Sequence, residues 1–135
     1  MIARFCVSVG LEFHLIAEPV KQEIFPGRIV DLWGYNGSAP GPTIQVNQGD
    51  RVRIIVDNHL PEATSMHWHG FEVPSEMDGA PGSSQDPIPP GGRFVYEFTL
   101  HQIGRASYRW CCISWRSSQP YVLRRWRRAF SFQQR

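Results

Sequence analysis

The sequence lacks a long hydrophobic run, a paired-cysteine motif and any acidic residue after Glu97. No stretch reaches the roughly 18 consecutive apolar residues that a membrane-spanning helix needs. The three cysteines include the adjacent residues Cys111 and Cys112, and none has the spacing of a redox C-x-x-C motif or a zinc knuckle. An odd number of cysteines does not make a disulfide framework, so the redox compartment stays open.

Charge is distributed unevenly, although the formal net charge is only +2. Residues 1–104 contain six Lys/Arg and all twelve Asp/Glu, a balance of 6 − 12 = −6, whereas residues 105–135 contain eight Arg and no acid. Such an asymmetry indicates two different kinds of sequence. Near the N-terminus, the apolar run after Arg4 is short and is broken by Glu12, so a signal peptide is only weakly indicated.

Short strands separated by turns are predicted for most of the chain. The 11 prolines and 12 glycines favour turns over helices. Alternating or β-branched runs predict extended segments at 12–18, 28–33, 43–46, 51–56, 64–69 and 93–100. The segment 71–92 is rich in proline, which a central strand does not accommodate, and is predicted to be ordered irregular chain. With no convincing helix, this pattern predicts an antiparallel β-sandwich or barrel.

The predicted strand at 64–69 carries two histidines, His67 and His69. On an extended strand, residues two apart point to the same face, so both imidazoles can converge on one region of space. Imidazole is the commonest transition-metal ligand in proteins. Taken alone, the pair is open to two interpretations: half of a metal site, or two histidines that pack or lie at the surface.

The neighbouring motifs extend this pattern. In chain order they are Asn36-Gly37, Pro40-Gly41-Pro42-Thr43-Ile44, Gln48-Gly49-Asp50, Asn58-His59-Leu60, Met66-His67-Trp68-His69-Gly70, Met77-Asp78-Gly79, Gln85-Asp86-Pro87-Ile88-Pro89-Pro90-Gly91 and Tyr96-Glu97-Phe98. Together they resemble the first cupredoxin domain of the multicopper oxidases, the family of laccases and copper-resistance oxidases. The resemblance implies an all-β, cupredoxin-like Greek-key β-sandwich, incomplete at its C-terminal end. It divides the chain into an uncertain lead (1–11), the cupredoxin-like domain (12–104) and an Arg/Trp-rich tail (105–135) outside the family fold.

The resemblance also implies copper as the cofactor. It assigns His67 to the type 2 copper and His69 to one type 3 copper. Trp68, between them, points to the opposite face of the strand, where a role as a core anchor is favoured. Asp78 lies in a motif near the cluster in this family, where either a role beside the metals or loop stabilisation is open. The parent chemistry is oxidation of a reducing substrate, phenols or metal ions, coupled to reduction of dioxygen. The family is commonly exported, to the periplasm or the extracellular space.

The remaining histidines do not complete the copper ligands. His14, His59 and His101 match no ligand position of the family, and no histidine follows His101. The family's second His-x-His motif and its distal domain are therefore missing, and the predicted cluster is incomplete. The cysteines of the tail have no histidine nearby, which argues against a type 1 site. A missing domain or a second chain could supply the other ligands.

The function predicted from these features is that of a copper-binding N-terminal domain of a multicopper oxidase, inactive alone. The family consists of copper-dependent oxidoreductases, but this chain lacks most of the copper ligands, so whether it is an enzyme stays open. One alternative is a non-enzymatic copper-binding cupredoxin. A further alternative is a nucleic-acid or membrane binder that acts through the basic tail, although the acidic body argues against it. The tail itself is open to three interpretations: a disordered basic segment, such a binding patch, or out-of-frame sequence. The abrupt loss of family motifs after Gly104 favours the third.

Overall fold

The computed structural model describes residues 10–101 in full and the backbone of residues 107–112. The strands in this part of the chain are β1 (Leu11–Phe25), β2 (Arg28–Tyr35), β3 (Arg51–Asn58), β4 (Thr64–His69), β5 (Arg93–Thr99) and β6 (Ser107–Cys112), and a 3-10 helix occupies Ser75–Met77. No helix among the described residues is both long and apolar enough to cross a membrane. Most of the predicted lead, and the predicted tail beyond residue 112, lie outside the described residues.

The strands form two sheets. The larger has the order β2-β1-β3-β5 and the smaller pairs β4 with β6. β1 is antiparallel to β2 but parallel to β3, so the expectation of a purely antiparallel arrangement is wrong for this one pair. A parallel pair requires a crossover between its strands rather than a tight turn. The chain from β1 to β3 provides this crossover through β2 and the long connection at 36–50.

The core lies between the two sheets. Alternate residues of β3 and β5 point inwards, and Val52, Ile54, Val56, Tyr96 and Phe98 are buried there. From the smaller sheet, Trp68 is fully buried, with its ring centroid 5.3 Å from that of Tyr96 and 5.2 Å from that of Phe98 in edge-on geometry. Such contacts add to the stabilisation from burial alone. Trp68 therefore anchors the histidine strand in the core.

Two segments differ from the strands expected from the sequence. Residues 43–46 form no strand, although Ile44 and Val46 are buried, because no segment among the described residues forms a ladder with them. Conversely, β6 lies in the segment predicted to be outside the family fold, where local periodicity predicts no strand. Its pairing with β4 supplies a partner that lies far away in sequence. The domain boundary at residue 104 stays a prediction, and β6 lies beyond it.

Charged side chains form cross-strand pairs on the outer face of the larger sheet, and Asp57 is at their centre. The Arg93 guanidinium donates to both carboxylate oxygens of Asp57, at 2.6 and 2.9 Å, and His14 Nε2 donates to Oδ2 at 2.5 Å. The hydrogen bonds from Arg93 hold the pKa of Asp57 well below its usual range, partial burial opposes this, and His14 adds to it. The same contact raises the pKa of Arg93.

Asp57→Asn is expected to reduce stability at neutral pH and to flatten its decline in acid. The unfolded carboxyl has a pKa of about 3.9, and the folded pKa is lower. The contribution is therefore fully present above about pH 4 and is lost as the pH falls towards the folded pKa. Urea-unfolding midpoints between about pH 6 and pH 3 would measure the difference.

Asp31→Asn is the matched control for that change. Asp31 also pairs across strands, with Lys21, but its side chain is 82% exposed, against 14% for Asp57. Pairs this exposed contribute little to stability. An acid slope that changes equally in both variants would contradict the role assigned to Asp57.

Candidate metal-binding face of β4

β4 carries His67 and His69 on the same side of the strand, as its extended backbone predicts. Their ring centroids are 5.8 Å apart with an interplanar angle of 68°. The His67 side chain is 27% exposed and His69 is exposed. The two imidazoles are therefore adjacent, open to solvent and free of the hydrophobic core.

The intervening residues fix the strand against that core. Met66 and Trp68 are fully buried on the opposite face, which leaves the histidines no freedom to rotate inwards. The Met66 amide donates to the Tyr96 hydroxyl at 3.0 Å. The apolar side of β4 thus determines which way the imidazoles face.

A loop at 77–79 lies against β4 and contacts the side that carries Ser65 and His67. Ser65, which is fully buried, donates from Oγ to the Gly79 carbonyl at 2.8 Å. Gly79 has φ +73°, and a Cβ added to it would lie 1.6 Å from the Met66 carbonyl oxygen. Only glycine permits so close an approach of two backbones. Sequence reasoning missed the supports that Ser65 and Tyr96 give to β4, because they act between segments far apart in the chain.

The loop also sets the orientation of His67. His67 Nδ1 lies 2.8 Å from the backbone carbonyl oxygen of Asp78. A carbonyl oxygen only accepts, so Nδ1 carries a proton, and in the neutral form of this imidazole the lone pair is on Nε2. The Asp78 carboxylate is further away, at 3.5 Å from Nδ1. Metal-binding histidines are commonly oriented by such a bond from the second ring nitrogen.

The three other histidines lie elsewhere. His14 is on β1 of the larger sheet and bonds to Asp57, while His59 and His101 are exposed at the ends of strands. Within residues 10–101, where side chains are described, no group of three or more His, Cys, Asp or Glu is arranged to hold a metal ion. His67 and His69 therefore lie together as two adjacent imidazoles, with no third candidate ligand grouped with them in this part of the chain.

Comparisons with known proteins find similar sequences and a matching family. The model of the multicopper oxidase family matches residues 20–117. The chain is 48% identical over 99 residues to the copper resistance protein A homolog of Pseudomonas syringae pv. tomato, covering 73% of this chain and 17% of that protein. It is 47% identical over 83 residues to Laccase-1 of Cryptococcus neoformans var. neoformans, covering 59% of this chain and 13% of that protein.

A solved structure gives the same result for the fold. The multicopper oxidase of Pseudomonas thermotolerans matches with a TM-score of 0.72 and 44% identity, over 75% of this chain and 25% of that one. The predicted all-β, cupredoxin-like fold is thereby confirmed. The chain spans less than a fifth of the length of the two curated relatives above. With a family match across residues 20–117 and relatives of this similarity, the chain belongs to the multicopper oxidase family.

Proposed function

We propose that this chain is a copper-binding N-terminal domain of a multicopper oxidase, in which His67 binds the type 2 copper and His69 one type 3 copper. The observation that supports this most directly is the hydrogen bond from His67 Nδ1 to the Asp78 carbonyl. It leaves the Nε2 lone pair available on the face that His69 shares. Neutral, pre-oriented imidazoles are the ligands that copper sites use.

In this proposal β4 and the adjacent loop each have a defined part. β4 holds the two imidazoles at fixed spacing, the Asp78 carbonyl keeps the proton of His67 on Nδ1, and buried Trp68 prevents the strand from rotating. Copper, when bound, supplies one-electron chemistry between a reducing substrate and dioxygen. The relatives' printed names, laccase and copper resistance protein, favour phenols or metal ions as the reducing substrate.

We further propose that the chain does not complete this chemistry alone. A trinuclear copper cluster needs many imidazoles, and only His67 and His69 of the five histidines occupy matching positions. The remaining ligands would come from another domain or a second chain that meets the open face of β4. Copper retention without oxidase activity is therefore the expected behaviour of the isolated chain.

The test is retention of Cu(II) by the purified full chain after desalting. His67→Ala and His69→Ala are each expected to lower Cu(II) affinity by at least about tenfold, since even indirect contacts to a metal ligand are worth 10–100-fold. Stoichiometry by metal analysis and affinity by competition with a chelator would measure this. Paramagnetic resonance would show whether nitrogen ligands disappear with the histidines.

His59→Ala and His101→Ala are the matched controls, because both remove an exposed imidazole outside β4. Neither should alter Cu(II) retention. Unchanged retention in the His67/His69 double variant would rule out the assigned ligands. Oxidation of a phenol by the isolated chain would rule out its proposed dependence on further ligands.

A further inference from the structure

Met77 connects the short 3-10 helix to the last strand of the larger sheet. β5 ends the strand order of that sheet in the described part of the chain. Its Glu97 amide donates to the thioether sulfur of Met77, at an N–S distance of 3.4 Å. A thioether is a weak acceptor, and the Met77 side chain also packs against the main hydrophobic core. One weak hydrogen bond and apolar contact therefore hold this residue in place.

The two residues after Met77 contact the strand that carries the histidines. The Asp78 carbonyl oxygen lies 2.8 Å from His67 Nδ1, and the Gly79 carbonyl accepts from the Ser65 hydroxyl. Successive Cα atoms are held about 3.8 Å apart by the covalent chain. A displacement of Met77 is therefore passed directly to the carbonyl that orients His67.

The methionines differ in their access to solvent. Met77 is partly exposed, whereas Met66 is fully buried. The third methionine, Met1, lies outside the described residues. Oxidation turns a flexible apolar thioether into a polar sulfoxide, which disrupts apolar packing. Met77 is therefore the methionine of the described residues at which a soluble oxidant has access and at which the product disturbs the loop.

We propose that Met77 is an oxidation site for hydrogen peroxide and that its sulfoxide weakens copper binding by His67. The effect on copper rests on the proposed function, whereas the oxidation itself does not. Peroxide transfers one oxygen atom to the sulfur: an S–O bond forms, the O–O bond breaks and water leaves. The sulfur loses two electrons, and the peroxide gains them.

The new oxygen has two places to go, and both displace the loop. Between the sulfur and the Glu97 amide, it forces the sulfur of Met77 away from β5. On the side that faces the core, it is a polar atom in apolar surroundings, which is costly without a hydrogen bond. In either position the Asp78 carbonyl moves relative to His67 Nδ1. Methionine sulfoxide reductases reverse the change.

The first test maps oxidation on the metal-free full chain. The cysteines are alkylated beforehand, the chain is exposed to hydrogen peroxide for increasing times, and its peptides are analysed by mass spectrometry. Met77 is expected to gain the mass of one oxygen atom while Met66 is still reduced. Equal rates at Met66 and Met77, or a slower reaction at Met77, would overturn the proposal.

The second test follows the ring nitrogens of His67 by NMR in the same metal-free chain. Oxidation is expected to shift them, because the hydrogen bond to the Asp78 carbonyl is lost. His14, which bonds to Asp57 on the larger sheet, is the control and should not shift. An unchanged His67 signal, or an equal shift of both histidines, would contradict a local displacement of the loop.

The third test measures Cu(II) affinity by chelator competition after the peroxide is removed. Oxidation should lower it by about tenfold, the lower end of the cost of disturbing a metal ligand's partner, and reductases for both sulfoxide epimers should restore it. Met77→Leu keeps an apolar side chain without sulfur, so it should bind Cu(II) before and after peroxide alike. Met77→Gln, polar and of similar length, should reproduce the loss without peroxide.

The outcomes separate this inference from the proposed function. A Cu(II) affinity unchanged by oxidation, or an equal loss in peroxide-treated Met77→Leu, overturns this inference alone. Cu(II) retention that is unaffected by the histidine substitutions overturns the proposed function and, with it, the effect on copper. The peptide map still decides in that case whether Met77 is the oxidation site.

Discussion

Gly79→Ala is expected to lower the free energy of unfolding by about 3–5 kcal/mol, at the upper end of single substitutions. A non-glycine residue in the left-handed region costs about 1–3 kcal/mol, and Gly79 has φ +73°. The added Cβ would also lie 1.6 Å from the Met66 carbonyl oxygen and 3.1 Å from the Cα of His67. Because both neighbours are backbone atoms of β4, the loop must move away from the strand. Urea denaturation would measure the loss.

Gly82→Ala separates the two contributions. Gly82 has a similar φ of +71°, but a Cβ there would meet nothing within 4 Å. Only the conformational cost of about 1–2 kcal/mol is expected. Gly79→Ala should also weaken Cu(II) retention, because the adjacent Asp78 carbonyl orients His67. Equal losses of stability in the two variants would show that the close packing on β4 is unimportant.

Asn58→Ala is expected to cost about 3–4 kcal/mol. Asn58 is fully buried at the end of β3, and its side chain makes three hydrogen bonds. Nδ2 donates to the carbonyls of Glu62 and Ile88, both at 2.9 Å, and Oδ1 accepts from the Leu60 amide at 2.9 Å. Each bond is worth about 1 kcal/mol net, and buried groups left without a partner add to the loss.

Asn47→Ala is the matched control for Asn58→Ala. Asn47 is exposed, and its backbone N–H donates to the Asp50 carboxylate at 2.7 Å. Alanine keeps this backbone bond. We expect this variant to unfold within about 0.5 kcal/mol of the wild type. If Asn58→Ala were equally mild, water would have to replace its side-chain contacts. Thermal and urea unfolding followed by circular dichroism would distinguish these outcomes.

Features with a strong local period were predictable from the sequence. β3 and β5 alternate apolar and polar residues, and Val52, Ile54, Tyr96 and Phe98 are buried as that alternation requires. The i, i+2 spacing of the two histidines likewise places their rings side by side. In each case the geometry follows from one strand's own backbone.

Features that depend on contacts between distant segments were not predictable. β6 is extended because it pairs with β4. Its own residues show no alternation of apolar and polar side chains that would predict a strand. The close approach of Gly79 to Met66 joins a loop to a strand, and a glycine in sequence does not reveal its neighbour. From the sequence, Asp78 could have either a role beside the metals or a role in stabilising its loop. In the structure its main-chain carbonyl, at 2.8 Å, is closer to His67 than its carboxylate.

β1 pairs with both β2 and β3, and this affects the order in which the chain folds. Its C-terminal half pairs with β2 through a turn of two residues, a local event that closes quickly. Its N-terminal half pairs in parallel with β3, whose residues are about forty positions later in the chain. Pairings of that sequence separation are slow, because the entropy of closing the loop is lost before any contact is gained. We therefore expect the β1–β2 hairpin to form early and the parallel pairing of β1 with β3 to form late. Between these steps the N-terminal half of β1 has not yet paired with β3.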